Sequence, residues 1–381
     1  MVLAMSSARG AGQLSKPVVM CVVGARPNLV KMAPILRELD EEGRLEPLLV
    51  HTGQHYDAVM SDAFFTDLEI RHVPVNLGVG SGTHAVQTGA IMRALEALVS
   101  ETAPAVMVTV GDVNSTLAAA LVAAKAGVPQ AHVEAGLRSG DAGMPEEVNR
   151  VVTDRLADLL FTHSDEADVN LISEGVNPRR IHKVGNVMID SLLRMRPQWQ
   201  GASRAALENL PERYAVVTLH RPSNVDDPER LSRLLEVLCT ASEELPIIFP
   251  VHPRTRARLL ETPPTALRLV EPMGYLAFLD LVEHASAVLT DSGGIQEETT
   301  VLGVPCLTLR SSTERPVTIR LGTNRLVGED PAVILPALHS SLASRVGAPP
   351  TVPLWDGHAA ERLVRILSAA VANPLPLRLS G

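Results

Sequence analysis

Lysine is scarce in this chain of 381 residues, occurring only as Lys16, Lys31, Lys125 and Lys183. Aromatic residues make up 3% of the chain, and cysteine occurs three times, as Cys21, Cys239 and Cys306. Each shortage excludes something. Three cysteines far apart in apolar runs form neither a disulfide frame nor a metal set, and read as buried thiols of a reducing compartment. The net charge is −9, from 43 acidic and 34 basic residues, with no Lys/Arg-rich block to offset it. A nucleic-acid surface is therefore not expected, and an anionic ligand must be held by a local cluster of cations. The first apolar run, Val18–Val23, is too short for a membrane span or a signal-peptide core, so a cytoplasmic protein with no membrane partner is expected. Gly78-x-Gly80-x-Gly82 lacks a preceding strand and an acidic residue about twenty positions on, which argues against NAD.

What is present points to a globular α/β protein. A hydrophobic fraction of 46% and a charged fraction of 20% are those of a packed chain, and its length suggests two domains of similar size. Apolar runs at Val18–Val23, Leu48–Thr52, Val106–Val110, Gln130–Val133 and Leu159–Thr162 read as strands. Leu29–Glu41, Gln87–Val99, Ser115–Lys125 and Glu146–Ala157 carry helical spacing between them. After a polar stretch at Arg196–Arg213 the alternation restarts, with strands at Ala215–Leu219, Ile247–Val251, Leu267–Val270, Ala287–Thr290 and Cys306–Leu309. Such alternation predicts parallel sheets covered by helices. The expected architecture is two Rossmann-like doubly wound α/β domains, 17–195 and 196–381, facing a cleft, after a loose tail at 1–16.

Ligands of open parallel sheets lie beyond the carboxyl ends of the strands, and the polar residues cluster there. Asp291-Ser292-Gly293-Gly294 follows a strand and opens a helix, so free backbone N–H groups converge at a point suited to a phosphate. Glu298, one turn on, is placed to accept hydrogen bonds from ribose hydroxyls. Arg26 and Lys31 flank the first strand-to-helix turn as candidate anion ligands. Asp112 ends a very apolar strand and reads either as a helix N-cap or as a functional carboxylate. Glu134, between small residues at another strand end, reads as buried, with its pKa raised by desolvation. Glu146 and Glu147 open a helix after Pro145, where dipole complementarity explains one of them. His220 and Arg221, held out of helix by Pro222, put two cationic groups at a strand end. His51 and His55 share the i, i+4 spacing of a zinc pair, but Gly53 between them argues against a metal site.

Taken together these motifs resemble the non-hydrolysing UDP-N-acetylglucosamine 2-epimerase family. The likeness is carried by Gly24-Ala25-Arg26-Pro27-Asn28, His51–Asp57, His132–Arg138, Met144–Arg150, Thr218–Pro222, Asp291–Glu298 and Thr313–Pro316. It implies a GT-B-like fold, a homodimer, no cofactor and no metal. The implied reaction interconverts UDP-GlcNAc and UDP-ManNAc by elimination of UDP to a 2-acetamidoglucal and its re-addition. By motif position Asp112, Glu134 and Glu146 match the family's catalytic carboxylates, and His220 the histidine that assists the leaving UDP. Arg26, Lys31, Arg221, Ser292, Gly293, Gly294 and Arg315 would bind the diphosphate side, Glu298 the ribose, and the Pro272–Phe278 region the uracil. Gln54 and His55 match a second, regulatory UDP-GlcNAc pocket of some members. Asn28 and Ser223 stand where many relatives have glutamate, and Gly140, Ala142 and Gly143 stand where many carry bulkier or basic residues. A hydrolysing relative releasing N-acetylmannosamine, or an epimerase of a modified UDP-HexNAc, is the alternative. A GT-B glycosyltransferase would share the cradle, but the Glu134 and Glu146 matches argue against it.

Overall fold

A computed structural model describes residues 16–54, 64–251, 253–259, 266–343 and 348–373. The first seven strands are β1 (Val18–Val23), β2 (Glu46–His51), β3 (Val75–Asn76), β4 (Val106–Val110), β5 (Gln130–Val133), β6 (Leu159–Thr162) and β7 (Ile181–Lys183). They form one parallel sheet in the order β3-β2-β1-β4-β5-β6-β7. The remaining six are β8 (Ala215–Thr218), β9 (Ile247–Pro250), β10 (Arg268–Val270), β11 (Ala287–Thr290), β12 (Cys306–Thr308) and β13 (Asn324–Leu326). These form a second parallel sheet in the order β10-β9-β8-β11-β12-β13. Every pairing is parallel, so every return to the starting edge requires a crossover, and helices supply it. Central strands such as Val106–Val110 are buried along their whole length, which is why they read as continuous apolar runs.

The strands foreseen from the sequence are present, with ends shifted by one or two residues. Three further strands, Val75–Asn76, Ile181–Lys183 and Asn324–Leu326, had no apolar run to mark them. All three lie at sheet edges, where two or three residues and one covered face suffice. The helix after β1 begins at Arg26, earlier than its apolar spacing showed, and runs to Glu42 with Pro34 inside it. Cys21 and Cys306 are buried as expected, whereas Cys239 is only half-buried.

Strand order reverses between β1 and β4 in the first sheet, and between β8 and β11 in the second. Loops on either side of such a reversal diverge and leave a crevice beyond the carboxyl ends. The turns at Gly24–Asn28 and Gly111–Asn114 flank one crevice, and those at His220–Pro222 and Asp291–Gly294 flank the other. One apolar cluster joins the halves, including Leu29, Met188, Leu192, Trp199, Leu279 and Val288. The last helix, Ala359–Ala372, packs on the helices Arg26–Glu42 and Val187–Met195 of the first half. Among the described residues no helix is long and apolar enough to cross a membrane.

Candidate active site

The turn after β1 is held by one side chain. Asn28 Oδ1 accepts from the backbone N–H groups of Gly24 and Ala25 at 3.2 and 3.0 Å, and its Nδ2 donates to the Val110 carbonyl at 3.1 Å. Asn28 thus pins β1 to β4 at the reversal point. Gly24 has no room for a side chain, since a Cβ would lie 2.7 Å from that of Ser115. Five residues into the helix, Lys31 is 8% exposed and forms an ion pair with Glu134 Oε2. Arg26 is half-buried at the first helical position.

Glu134 is where the two halves meet. Its Oε1 accepts from Arg315 Nη2 of the second half at 2.8 Å, while Oε2 meets Lys31 of the first. The backbone at Glu134 has φ +70°, a left-handed conformation that disfavours a residue with a Cβ by about 1–2 kcal/mol. Burial alone would raise its pKa, as the sequence suggested, but Lys31 and Arg315 outweigh it and bring the carboxyl down to about 2. The expectation of a raised value is therefore corrected: burial here comes with two buried cations. Arg315 in turn has Nε 3.1 Å from Glu297 Oε1 and Nη1 3.5 Å from Glu314 Oε2. Burial works against the charge of Arg315, but these three carboxylates more than compensate and raise its pKa.

Asp112 is not a helix cap: the N-cap position is Val113, which makes no side-chain cap, and the carboxylate turns to the helix Pro145–Leu156. Arg150 donates to Asp112 Oδ2 from Nη2 at 2.8 Å and from Nε at 3.1 Å. Asn149 donates to the Asp112 carbonyl at 2.8 Å. Of the two glutamates that open this helix, Glu147 is buried, pairs with Arg150, and accepts the backbone N–H groups of Ser139 and Gly140, each to Oε1 at 3.0 Å. Glu146 is half-buried and close enough to Arg221 to act on its charge. The pair therefore divides: Glu147 anchors the small-residue loop Ser139–Gly143, and Glu146 is left toward the cleft.

Behind both strand ends lies His132, fully buried, with Nε2 2.8 Å from the Gly111 carbonyl and Nδ1 2.6 Å from Asp154 Oδ1. Asp154 Oδ2 also accepts from Gly136 N at 3.0 Å and Arg138 Nη1 at 2.7 Å. One imidazole thus ties the turn preceding Asp112 to the strand that ends in Glu134.

On the second half, Asp291 is fully buried and organises the turn after β8. It lies 2.9 Å from His220 Nδ1 through Oδ1, and Oδ2 accepts from the backbone N–H of Arg221 at 3.0 Å and from Asn224 Nδ2 at 3.1 Å. Burial would raise the Asp291 carboxyl, but the contacts with His220 hold it below its ordinary value. Ser292 precedes the helix Gly293–Leu302, as the anion-cradle motif required. A Cβ at Gly293 would lie 2.8 Å from Arg315 Cζ, so that guanidinium rests on the helix start. Glu298 accepts from Tyr275 Oη at 2.8 Å, and burial pushes its carboxyl up to about 7. Glu314, which the sequence did not single out, accepts from Arg310 at 2.8 and 2.9 Å and lies 3.6 Å from Arg150 and 3.7 Å from Arg221.

The structure thus brings Lys31, Asp112, Glu134, Arg221 and Arg315 into one ionic network across the cleft, with His220 and Glu298 on its second-half wall. Gln54 lies elsewhere engaged: its Oε1 accepts from Ser115 N at 3.2 Å and Ser115 Oγ at 2.7 Å. His55 falls outside the described residues. Sequence reasoning gave no role of their own to Arg150, Glu314 and His163, and noted Glu297 only beside Glu298. Arg150 could have been found, since it stands four residues after Glu146, one turn along the helix that Pro145 opens. Glu134, His163 and Glu297 are buried with ligand atoms within 4.8 Å of one another, the spacing of a metal set. Lys31 and Arg315 already neutralise these carboxylates, so a divalent ion would have to displace both cations.

The family model described as UDP-N-acetylglucosamine 2-epimerase matches residues 37–368. The UDP-N-acetylglucosamine 2-epimerase of Methanocaldococcus jannaschii is 40% identical over 360 residues, covering 91% of this chain and 98% of the relative. A crystal structure from that organism, in complex with UDP-GlcNAc and UDP, superposes with a TM-score of 0.86 at 39% identity, covering 92% of this chain and 99% of the other. The UDP-2,3-diacetamido-2,3-dideoxy-D-glucuronate 2-epimerase of Pseudomonas aeruginosa is 38% identical over 333 residues, covering 86% of this chain and 93% of the relative. The two facing doubly wound sheets are accordingly GT-B-like, and the chain belongs to the UDP-N-acetylglucosamine 2-epimerase family.

Proposed function

We propose that this epimerase interconverts UDP-GlcNAc and UDP-ManNAc without net hydrolysis. The observation that carries the reading is the position of Arg315, which touches both the Gly293 turn and the Glu134 carboxylate. An anion on that turn lies beside a strand-end carboxylate, as elimination of a diphosphate requires. The base takes the proton from sugar carbon 2, the electron pair forms the carbon 1–carbon 2 double bond, and the carbon 1–oxygen bond breaks with its electrons going to UDP. A proton then returns to carbon 2 on the opposite face, and a UDP oxygen re-bonds to carbon 1.

Inverting carbon 2 requires acid/base groups on both faces of the sugar, and Asp112, Glu134 and Glu146 are the candidates. Asp291 fixes the His220 ring through Nδ1, which makes Nε2 the nitrogen that serves the leaving diphosphate. Arg26, Lys31, Arg221, Arg315 and the Ser292-Gly293-Gly294 turn bind the diphosphate, and Glu298 binds the ribose. A homodimer belongs to the same reading, with the exposed Val148 and Val151, on one helix face, as apolar surface for it to cover. Gln54, with His55, is the candidate for a regulatory pocket.

Incubation with UDP-GlcNAc in deuterated water tests the proposal. Deuterium at carbon 2 of recovered UDP-GlcNAc and UDP-ManNAc is expected. Free N-acetylmannosamine would instead establish net hydrolysis, and no exchange at all would overturn both. A second reading, a UDP-HexNAc modified on the sugar, is favoured by the open space around Gly140 in the loop before Glu146. Comparing UDP-GlcNAc with a 2,3-diacetamido uronate substrate separates them.

A further inference from the structure

Both oxygens of Glu134 are taken, and the cations that take them come from opposite walls of the cleft. Lys31 belongs to the helix after β1 and Arg315 to the second half, and all three residues are over nine-tenths buried. Arg315 also rests on Gly293, at the start of a ten-residue helix whose first N–H groups point at the same spot. A carboxylate therefore occupies both Lys31 and the guanidinium that rests on the anion cradle, Arg315.

We infer that Glu134 is an internal stand-in for the diphosphate: it occupies Lys31 and Arg315 until a diphosphate takes both cations and releases it. This rests on the reading of the cleft as a UDP-sugar site. The charges match, since a diphosphate diester carries two negative charges and Lys31 with Arg315 carry two positive ones. Arg315 keeps its place during the exchange, because Glu297 and Glu314 hold it from the other side. The exchange also has a chemical consequence. A carboxylate held by two cations is a weak base; stripped of them in a buried position, it becomes a strong one. Binding of the leaving group thereby activates the base that acts on the sugar, and a molecule without a diphosphate leaves it masked. The left-handed backbone at Glu134 fits such a device, because strained conformations of this kind persist where the surrounding structure holds a residue for a clamp or switch.

The signature is a gain in affinity when the proposed base is removed. Glu134→Gln keeps the shape of the side chain, but it is neutral and turns one acceptor oxygen into an N–H donor, so it no longer competes for the cations. UDP, which lacks the sugar, is expected to bind this variant roughly three- to tenfold more tightly than the wild-type chain in calorimetric titration, the gain set by how fully the stand-in occupied the site. Asp141→Asn is the control, since it removes one negative charge from the exposed loop before Glu146 without touching Lys31, Arg221 or Arg315; its UDP affinity is expected to change by less than about twofold. Inorganic pyrophosphate, as a second probe, should show the same order. Equal or weaker UDP binding by Glu134→Gln overturns the inference, and so does an equal gain in both variants, which would report only the general field. Failure of the wild-type chain to bind UDP at all would overturn the UDP-site reading itself. Unfolding curves of each variant separate these results from loss of fold.

Discussion

The carboxylate of Asp190 accepts the backbone N–H of Ala360 at 2.7 Å, 170 residues away in the chain. Its other oxygen accepts from Ala359 at 3.2 Å, so a residue on the Val187–Met195 helix caps the chain's last helix from outside. The cap fastens that helix to the half of the molecule that the chain left long before.

Asp190→Ala is expected to destabilise the protein by about 1–2 kcal/mol, the usual loss for a capping acceptor. The loss should concentrate in faster amide hydrogen exchange over Ala359–Ala372. Its pH dependence has a definite sign. Burial raises the Asp190 carboxyl to about 6, so its protonated form is favoured by folding. That contribution is complete below the ordinary aspartate range and is lost as pH rises to about 6. Asp190→Asn should flatten this slope in unfolding curves recorded between pH 4 and pH 7.

Tyr275 and Glu298 give a pH dependence in binding. Ribose hydroxyls donate hydrogen bonds, and an ionised carboxylate accepts them better than a protonated one. With burial holding Glu298 at about 7, affinity for UDP-GlcNAc should rise as pH passes through that value. The rise should approach about tenfold per unit on the acid side, the limit for one coupled proton. Tyr275→Phe removes a hydrogen bond that favours the ionised form, so the transition should move to higher pH. Glu298→Gln should abolish it. Calorimetric titrations from pH 6 to pH 8 measure all three, and a pH-independent wild-type affinity would exclude Glu298 as the ribose acceptor.

Much of the fold was legible because parallel strands buried on both faces, such as Val106–Val110, leave unbroken apolar runs. Val75–Asn76 left none, being two residues at an edge. The cleft residues were legible as polar breaks directly after those runs, which is how Asp112, Glu134, His220 and Asp291 stood out. Their partners were not. Nothing in a linear sequence shows that Arg315 reaches Glu134, 181 residues earlier, and so the direction of the Glu134 shift could not be read from its apolar neighbours. The same holds for Glu314, whose role comes entirely from the arginines that converge on it.

His132 offers a test of positioning apart from contact. Its ring joins the Gly111 carbonyl to Asp154, and so sets the spacing between the turn that bears Asp112 and the strand that bears Glu134. Asp154→Asn removes the anion that orients the ring. Loss of such a supporting contact is expected to lower kcat about 10- to 100-fold. Asp154 contacts none of the groups assigned to the diphosphate, so affinity for UDP should stay within about twofold. A parallel fall in UDP affinity would mean that Asp154 supports the fold generally. Arg138, which also meets Asp154, is the control: Arg138→Lys should affect kcat less than Asp154→Asn does.

Gly293 and Gly294 are adjacent and sequence alone treats them alike, but their surroundings differ. A Cβ at Gly293 would overlap the Arg315 guanidinium, with Cζ 2.8 Å away. Arg315 cannot swing aside without leaving Glu134, Glu297 and Glu314. A Cβ at Gly294 would instead meet the Met188 sulfur at 3.4 Å, the end of a flexible side chain. Gly293→Ala should therefore destabilise the unliganded protein by about 1–3 kcal/mol, the range for overpacking, and Gly294→Ala by less than about 0.5 kcal/mol. Denaturant unfolding without ligand measures both. Should the two variants lose equal stability, Arg315 would not be the fixed wall against which the turn is built.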